Sequence, residues 1–289
     1  MVLLRTVGGA IILCLAASFP TIVQTASAQD AQATTSLRQS LAALTGPNVV
    51  SDVTLTGTAH RVAGSDDESG TATLEATSAG DSRVELSFSS GNQIEIRNHS
   101  SSSLPDAVPP GVTIPSAAAQ AQPVGAWSGS DGVLHGMARH NTMTEASWFF
   151  PAIAVADFAR SPLWVATYVG TEIHNGLSVV HLQLAQVIPS SVNAPRLVVG
   201  VVQRLTRTDL YLDSGSLLPV ALDFNTHPTN DAYSDISVEI RFSQYQSVNG
   251  VEVPMHVEKY LNNGLVLDLQ FTSVTLNSGL STSRFALQQ

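Results

Sequence analysis

The sequence predicts a mainly β protein: a large antiparallel sheet with an N-terminal helix and a central helical pair. Three observations carry the prediction. Apolar and polar residues alternate with period two over most of the chain, Asn-Gly and related turn signals punctuate the alternation, and helical spacing is confined to two short regions. The alternation is clearest near the C-terminus. Ile236, Val238, Ile240 and Phe242 are apolar while Ser237, Glu239, Arg241 and Ser243 fill the gaps, the pattern of a strand with one wet face. Asn249-Gly250 turns the chain, Val251, Val253, Met255 and Val257 repeat the device, and Asn262-Asn263-Gly264 turns it again into Leu265, Leu267, Leu269 and Phe271.

The first residues read differently. Arg5 precedes an apolar core from Val7 to Val23, and Ala26-Ser27-Ala28 supplies small residues before Gln29. This is the pattern of a cleavable signal peptide over residues 1–28, cut between Ala28 and Gln29, which predicts a periplasmic or secreted protein with no membrane span after cleavage. Cys14, the single cysteine, falls inside that segment, so the mature chain, residues 29–289, is expected to form one domain held by its core without disulfides. The net charge of −10 and the scattered arginines, with Lys259 as the single lysine, argue against nucleic acid as a partner.

After the signal, Leu37, Leu41 and Leu44 at helical spacing, with Thr34 or Thr35 as a cap and Gly46 as a stop, predict a short helix. Strands are expected over 53–59, 71–76, 83–88 and 93–97, the first turning through Gly64–Gly70 with its acidic Asp66-Asp67-Glu68 at the tip. Residues 98–125 are rich in Ser, Pro and Ala and read as a flexible insertion. A strand near 131–139 then leads to Thr142-Met143-Thr144-Glu145, a capping-box pattern that predicts a helix through Phe150, with Pro151 opening a second to Arg160. Strands are predicted over 163–171 and 177–187, then from about Val199 onward, for about twelve in all.

Nearly every strand has one apolar face. Such a sheet can pack as a closed sandwich or barrel, or curl incompletely under the helices and leave a cavity. No Gly-x-Ser-x-Gly elbow, phosphate loop or His-Glu-x-x-His occurs, no spacing of the eight histidines suggests a metal site, and neither a cofactor nor catalysis is expected.

The order of elements, together with Tyr245, Val248-Asn249-Gly250-Val251-Glu252-Val253-Pro254, the run Leu269–Val274 and the ending Phe285-Ala286-Leu287, resembles the periplasmic lipoprotein-carrier (LolA-like) and RseB-like superfamily. The resemblance implies an open half-barrel whose apolar face, covered by helices, binds a lipid or an acylated protein. It also implies a basic residue on an early strand that holds the lid; Arg61 and Arg83 stand at such positions. On this reading Trp148, Phe149, Phe150, Phe224 and Phe242 line the cavity and the helical pair gates it. The alternative, from the regulator branch, is a packed, non-catalytic envelope sensor or interaction module.

Overall fold

The computed structural model describes residues 21–99, 124–188 and 194–287, with side chains from residue 31. The predicted segment 1–28 and insertion 98–125 therefore lie largely outside the described residues. Helix α1 (Thr21–Thr45) is followed by β1 (Asp52–Ala63), β2 (Asp66–Thr77), β3 (Ser82–Phe88), β4 (Gly91–Asn98), β5 (Val124–Ser128) and β6 (Leu134–Gly136). Helix α2 (Pro151–Arg160) precedes β7 (Trp164–His174) and β8 (Leu177–Gln186). Helix α3 (Arg196–Leu205) precedes β9 (Thr208–Asp213), β10 (Pro219–Thr226), β11 (Ile236–Val248), β12 (Val251–Leu261) and β13 (Gly264–Leu276).

All thirteen strands among the described residues form one antiparallel sheet, ordered β6-β5-β4-β3-β2-β1-β13-β12-β11-β10-β9-β8-β7, and the sheet is not closed. It is two meanders joined at β1 and β13. The first runs from the middle of the sheet to the β6 edge, and the second returns from the β7 edge to the middle. The chain must cross from one edge to the other between them, and α2 lies on that crossing. This is why the central helix packs on one face of the sheet, here called the inner face. Short turns fix the register: Asn175-Gly176 and Asn249-Gly250 have φ of 50°, 82°, 52° and 78°, the left-handed pairs that tight hairpins require.

The inner face carries the core. Leu182, Leu210, Leu222 and Ile240 stand abreast on β8, β9, β10 and β11, and all are buried. Each such side chain contributes about 1.5–3 kcal/mol on burial. Over them lie the helices. Ala33, Leu37, Ser40 and Leu44 of α1 are buried, one stripe at helical spacing, and α1 packs against α2, β7 and β12. Gly46, at φ 54°, donates its amide to Ala42 and ends the helix.

Four expectations are corrected. Helix α1 begins at Thr21, before the predicted cap. The Gly64–Gly70 turn is only Gly64-Ser65, and Asp66, Asp67 and Glu68 lie on β2, paired with Ala63, Val62 and Arg61. No α-helix forms over Thr142–Phe150: a single 3₁₀ turn, Arg139–Asn141, is followed by turns. The capping residues there serve other partners, since Thr144 Oγ1 accepts from Arg97 and Glu145 accepts from Ser147. Pro151 also disfavours the helical conformation at Phe150, which is extended. Finally, Arg196–Leu205 is a helix, and the next strand starts only at Thr208. The Val-Val runs read as strand, but Val198, Val202 and Leu205 share a helical face, and the Thr206 side chain closes the last turn on the Val202 carbonyl at 2.7 Å.

Candidate functional site: an apolar cavity with one lysine

Helices α1 and α2 do not cover the whole inner face. Toward the end of the sheet that carries the β1–β2, β3–β4 and β12–β13 turns, a cavity of about 540 Å³ remains, within the ~300–1,000 Å³ range of small-molecule sites. Register explains its walls. Lys259 of β12 stands opposite Ile240 and Leu267, and Leu267 stands opposite Arg61 of β1, so all four share the inner face. Across β3, Val84 and Leu86 stand opposite Glu95 and Gln93 of β4, and Glu95 stands opposite Trp127 of β5. Trp148, from the segment entering α2, closes the top.

The apolar wall is Val62, Val84, Leu86, Trp127, Trp148 and Leu267. Its charged groups are ordered. Arg97 Nε donates to Glu95 Oε1 at 3.2 Å, and Arg97 Nη1 donates to the Thr144 carbonyl at 3.0 Å and hydroxyl at 2.7 Å. Burial pushes the Glu95 carboxyl up, but the Arg97 guanidinium and the Lys259 ammonium outweigh it and hold it below its ordinary value. Arg61 pairs with Glu68 at 3.1 Å and Asp66 at 3.7 Å. Lys259 Nζ lies 4.7 Å from the centre of the Trp148 ring, a cation–π distance. Burial lowers the Lys259 pKa, with Glu95 opposing and Arg97 reinforcing the shift.

Of the five aromatic residues expected to line a cavity, Trp148 does so. Phe149 and Phe150 are fully buried beneath the start of α2, and Phe224 and Phe242 are buried on β10 and β11 with the rest of the core. The cavity lining instead includes Trp127, 44% exposed, and Lys259, neither of which was expected there. A signal for Lys259 existed: it continues the inward series Val251, Val253, Met255, Val257 with a cation. On β4 the alternation misled, because Ile94 and Ile96 occupy the face opposite Val84 and Leu86. The short helical turn Thr282–Phe285 packs over β3 and β4, and it gives Ile96 a buried place away from the main core. Of the two arginines considered for the lid, Arg61 lines the cavity, whereas Arg83 pairs with Glu85 at 3.0 Å on the outer face.

His135 stacks on the cavity's Trp127 at 4.6 Å, whereas His174 and His181 are engaged on the outer face. His174 stacks on Tyr211 at 3.8 Å, His181 stacks on the same ring at 4.5 Å, and His181 and His174 reach Asp209 and Glu239 at 2.9 and 3.0 Å. Donor atoms of His174, Asp223 and Glu239 lie within 4.8 Å of one another, as do those of His256, Glu258 and Asp268. Glu239 already accepts from Arg241 at 2.7 Å and from Asn175 at 2.5 Å.

With this geometry in hand, the chain can be compared with solved structures. A domain from Vibrio parahaemolyticus, provisionally described as an outer membrane lipoprotein-sorting protein, superposes with a TM-score of 0.50 over 89% of this chain and 97% of that one, at 10% identity. The two chains share one fold. A DUF1329 family protein from Desulfovibrio piger (TM-score 0.49, 9% identity, 90% and 98% of the two chains) and a LolA superfamily protein from Nitrosomonas europaea (0.47, 12%, 88% and 97%) are also similar. No family model and no curated protein matches the sequence. The likeness to the Vibrio domain, at 10% identity, shows the fold and leaves the cavity's occupant to this chain's own residues. Among the described residues no helix is long and apolar enough to cross a membrane.

Proposed function

We propose that the protein is an exported, non-enzymatic binding protein that holds a lipid or acyl chain against the inner face of its sheet. The observation that carries this reading is the cavity of about 540 Å³ beside α1 and α2, walled by Val62, Val84, Leu86, Trp127, Trp148 and Leu267. A chain entering it loses water-exposed apolar surface, which favours binding by ~0.8 kcal/mol for each CH₂ buried. Phe149, Phe150, Phe224 and Phe242 then act as the packed bed that keeps α2 and the sheet in place around the cavity. Residues 1–28 direct export and are removed. A lipoprotein-sorting neighbour of the same fold fits this reading.

The test is native mass spectrometry of the mature protein purified without detergent, followed by organic extraction of the same sample. Added mass identified as a lipid is the expected result. A bare protein mass, with no uptake of added palmitate or methyl palmitate, contradicts the proposal. In that case the surface-acting module becomes the better account, and exposed Val165, Val169 and Ile173 on the edge strand β7 are where its partner would pair.

A further inference from the structure

The cavity wall contains one cation that the protein itself leaves unanswered. Arg97 is satisfied by Glu95 and by both oxygens of Thr144, and Arg61 by Glu68 and Asp66. Lys259 is different. Among the described residues no carboxylate oxygen lies within 4.0 Å of its ammonium, which is absent from every ion pair and hydrogen bond there. Its neighbours are the Trp148 ring at 4.7 Å and the through-space field of Glu95, a charge it shares with Arg97. It is also the only lysine in a chain of net charge −10, on a strand whose other inward residues, Val251, Val253, Met255 and Val257, are apolar and buried. Lys259 is half-buried, and its ammonium has three donors to give.

We propose that Lys259 anchors the anionic head of the cavity's ligand, a single-chain amphiphile ending in a carboxylate or phosphate, whose tail lies along Val84, Leu86 and Trp127. This rests on the lipid-binding reading above and narrows its ligand class. With Glu95 hydrogen-bonded to Arg97, which stands behind the wall, Lys259 is left as the wall's cation without a carboxylate in contact, and a single negative head can take that place. Trp148, over the ammonium, shields the resulting pair from water, which strengthens a charge-assisted hydrogen bond relative to the same contact in solvent. Burial is what lowers the Lys259 pKa, and an anion at that point would favour the charged amine.

The experiment is titration calorimetry of the mature, delipidated protein with palmitate, methyl palmitate and hexadecyl phosphate, on the natural chain and on Lys259→Met and Lys259→Arg. The natural chain should bind one or both anionic probes about ten- to hundredfold more tightly than methyl palmitate, the range of a hydrogen bond to a charged group. Lys259→Met should abolish that preference while leaving methyl palmitate binding unchanged, and Lys259→Arg should restore most of it. Whichever anion binds better names the head. Because Lys259 is the sole lysine, reductive methylation with ¹³C-formaldehyde gives one side-chain signal, which should shift on addition of the preferred anion and not of the ester. Equal binding of ester and acids to the natural chain, or an anion preference that survives Lys259→Met, overturns the anchor and leaves the lipid cavity standing. Failure of all three probes to bind overturns both.

Discussion

On the outer face Asp209, Asp223 and Glu239 stand abreast on β9, β10 and β11, whereas on the inner face Lys259 stands alone among Ile240, Leu267 and Trp148. Both arrangements place charge where it is unfavourable, and the protein answers the first with several counter-groups and the second with none in hydrogen-bond contact. Glu239 receives Arg241, Asn175 and His174, and Asp209 receives His181 and Gln183. Asp223, between them, is pushed up to about 7 by burial and by the two neighbouring carboxylates. The outer row is therefore met in large part from within, by the donors to Glu239 and Asp209 and by a proton on Asp223, while Asp223 Oδ1 and Arg241 Nε stay buried without a hydrogen-bond partner. The inner lysine has no such counter-groups. A charge cluster that supplies its own counter-groups reads as structure, and one that lacks them at the wall of a cavity reads as a ligand contact.

The comparison can be broken most severely through the bed under the cavity. Phe149→Ala removes a fully buried ring and should cost about 3–5 kcal/mol in urea unfolding, the usual cost of an aromatic deletion in a core. A loss below about 1 kcal/mol would show that the segment entering α2 is loosely packed and belongs to the cavity. Arg97→Met leaves Glu95 without its hydrogen-bonded partner and should destabilise the chain by about 3 kcal/mol, as breaking buried pairs does. Unchanged stability in the same assay would mean that Glu95 turns to Lys259, and the surplus cation would vanish.

The outer row makes a pH-dependent prediction. In the folded chain Asp223 titrates at about 7, against an ordinary 3.8, so between those values the folded state holds a proton that the unfolded state has released. Its contribution to stability is fully present below the lower value and falls as pH rises toward the upper one. Asp223→Asn removes the titration, so the variant should gain on the natural chain between about pH 4 and about pH 7, read from urea midpoints. A constant difference would place the carboxylate in a solvated site. The smallest stability effect is expected at the rim: Trp127→Ala, at a half-exposed ring, should change unfolding by less than about 1 kcal/mol yet weaken palmitate binding severalfold by calorimetry.

Much of the sheet was legible because its physics is local. The period-two alternation of β11, β12 and β13 and the Asn-Gly turns fix strands and register with no knowledge of the rest of the chain. The Thr142–Phe150 segment was misread because its capping residues are recruited by Arg97 and Ser147, partners that only the tertiary fold brings near. The Arg196–Leu205 helix was misread because valine-rich composition outweighed its helical spacing. For the site, apolar aromatics were the visible signal, and they mark the packed bed as well as the cavity. Only Trp148 among them reaches the wall. Which face Glu95 and Trp127 occupy depends on the β3–β4 and β4–β5 pairings and on the C-terminal turn that buries Ile96 elsewhere, and no local pattern carries that information.

The chain's three tryptophans offer the most direct test of the central claim. Trp127 and Trp148 line the cavity, while Trp164 packs edge-on to Phe158 at 4.8 Å and donates to Asp157 at 2.7 Å, away from it. In variants retaining one tryptophan each, with the others changed to Phe, a brominated palmitate should quench the emission of Trp127 and Trp148 and leave that of Trp164 unchanged. Quenching of Trp164 to the same degree as Trp148, or of none of the three, would contradict an acyl chain held in this cavity.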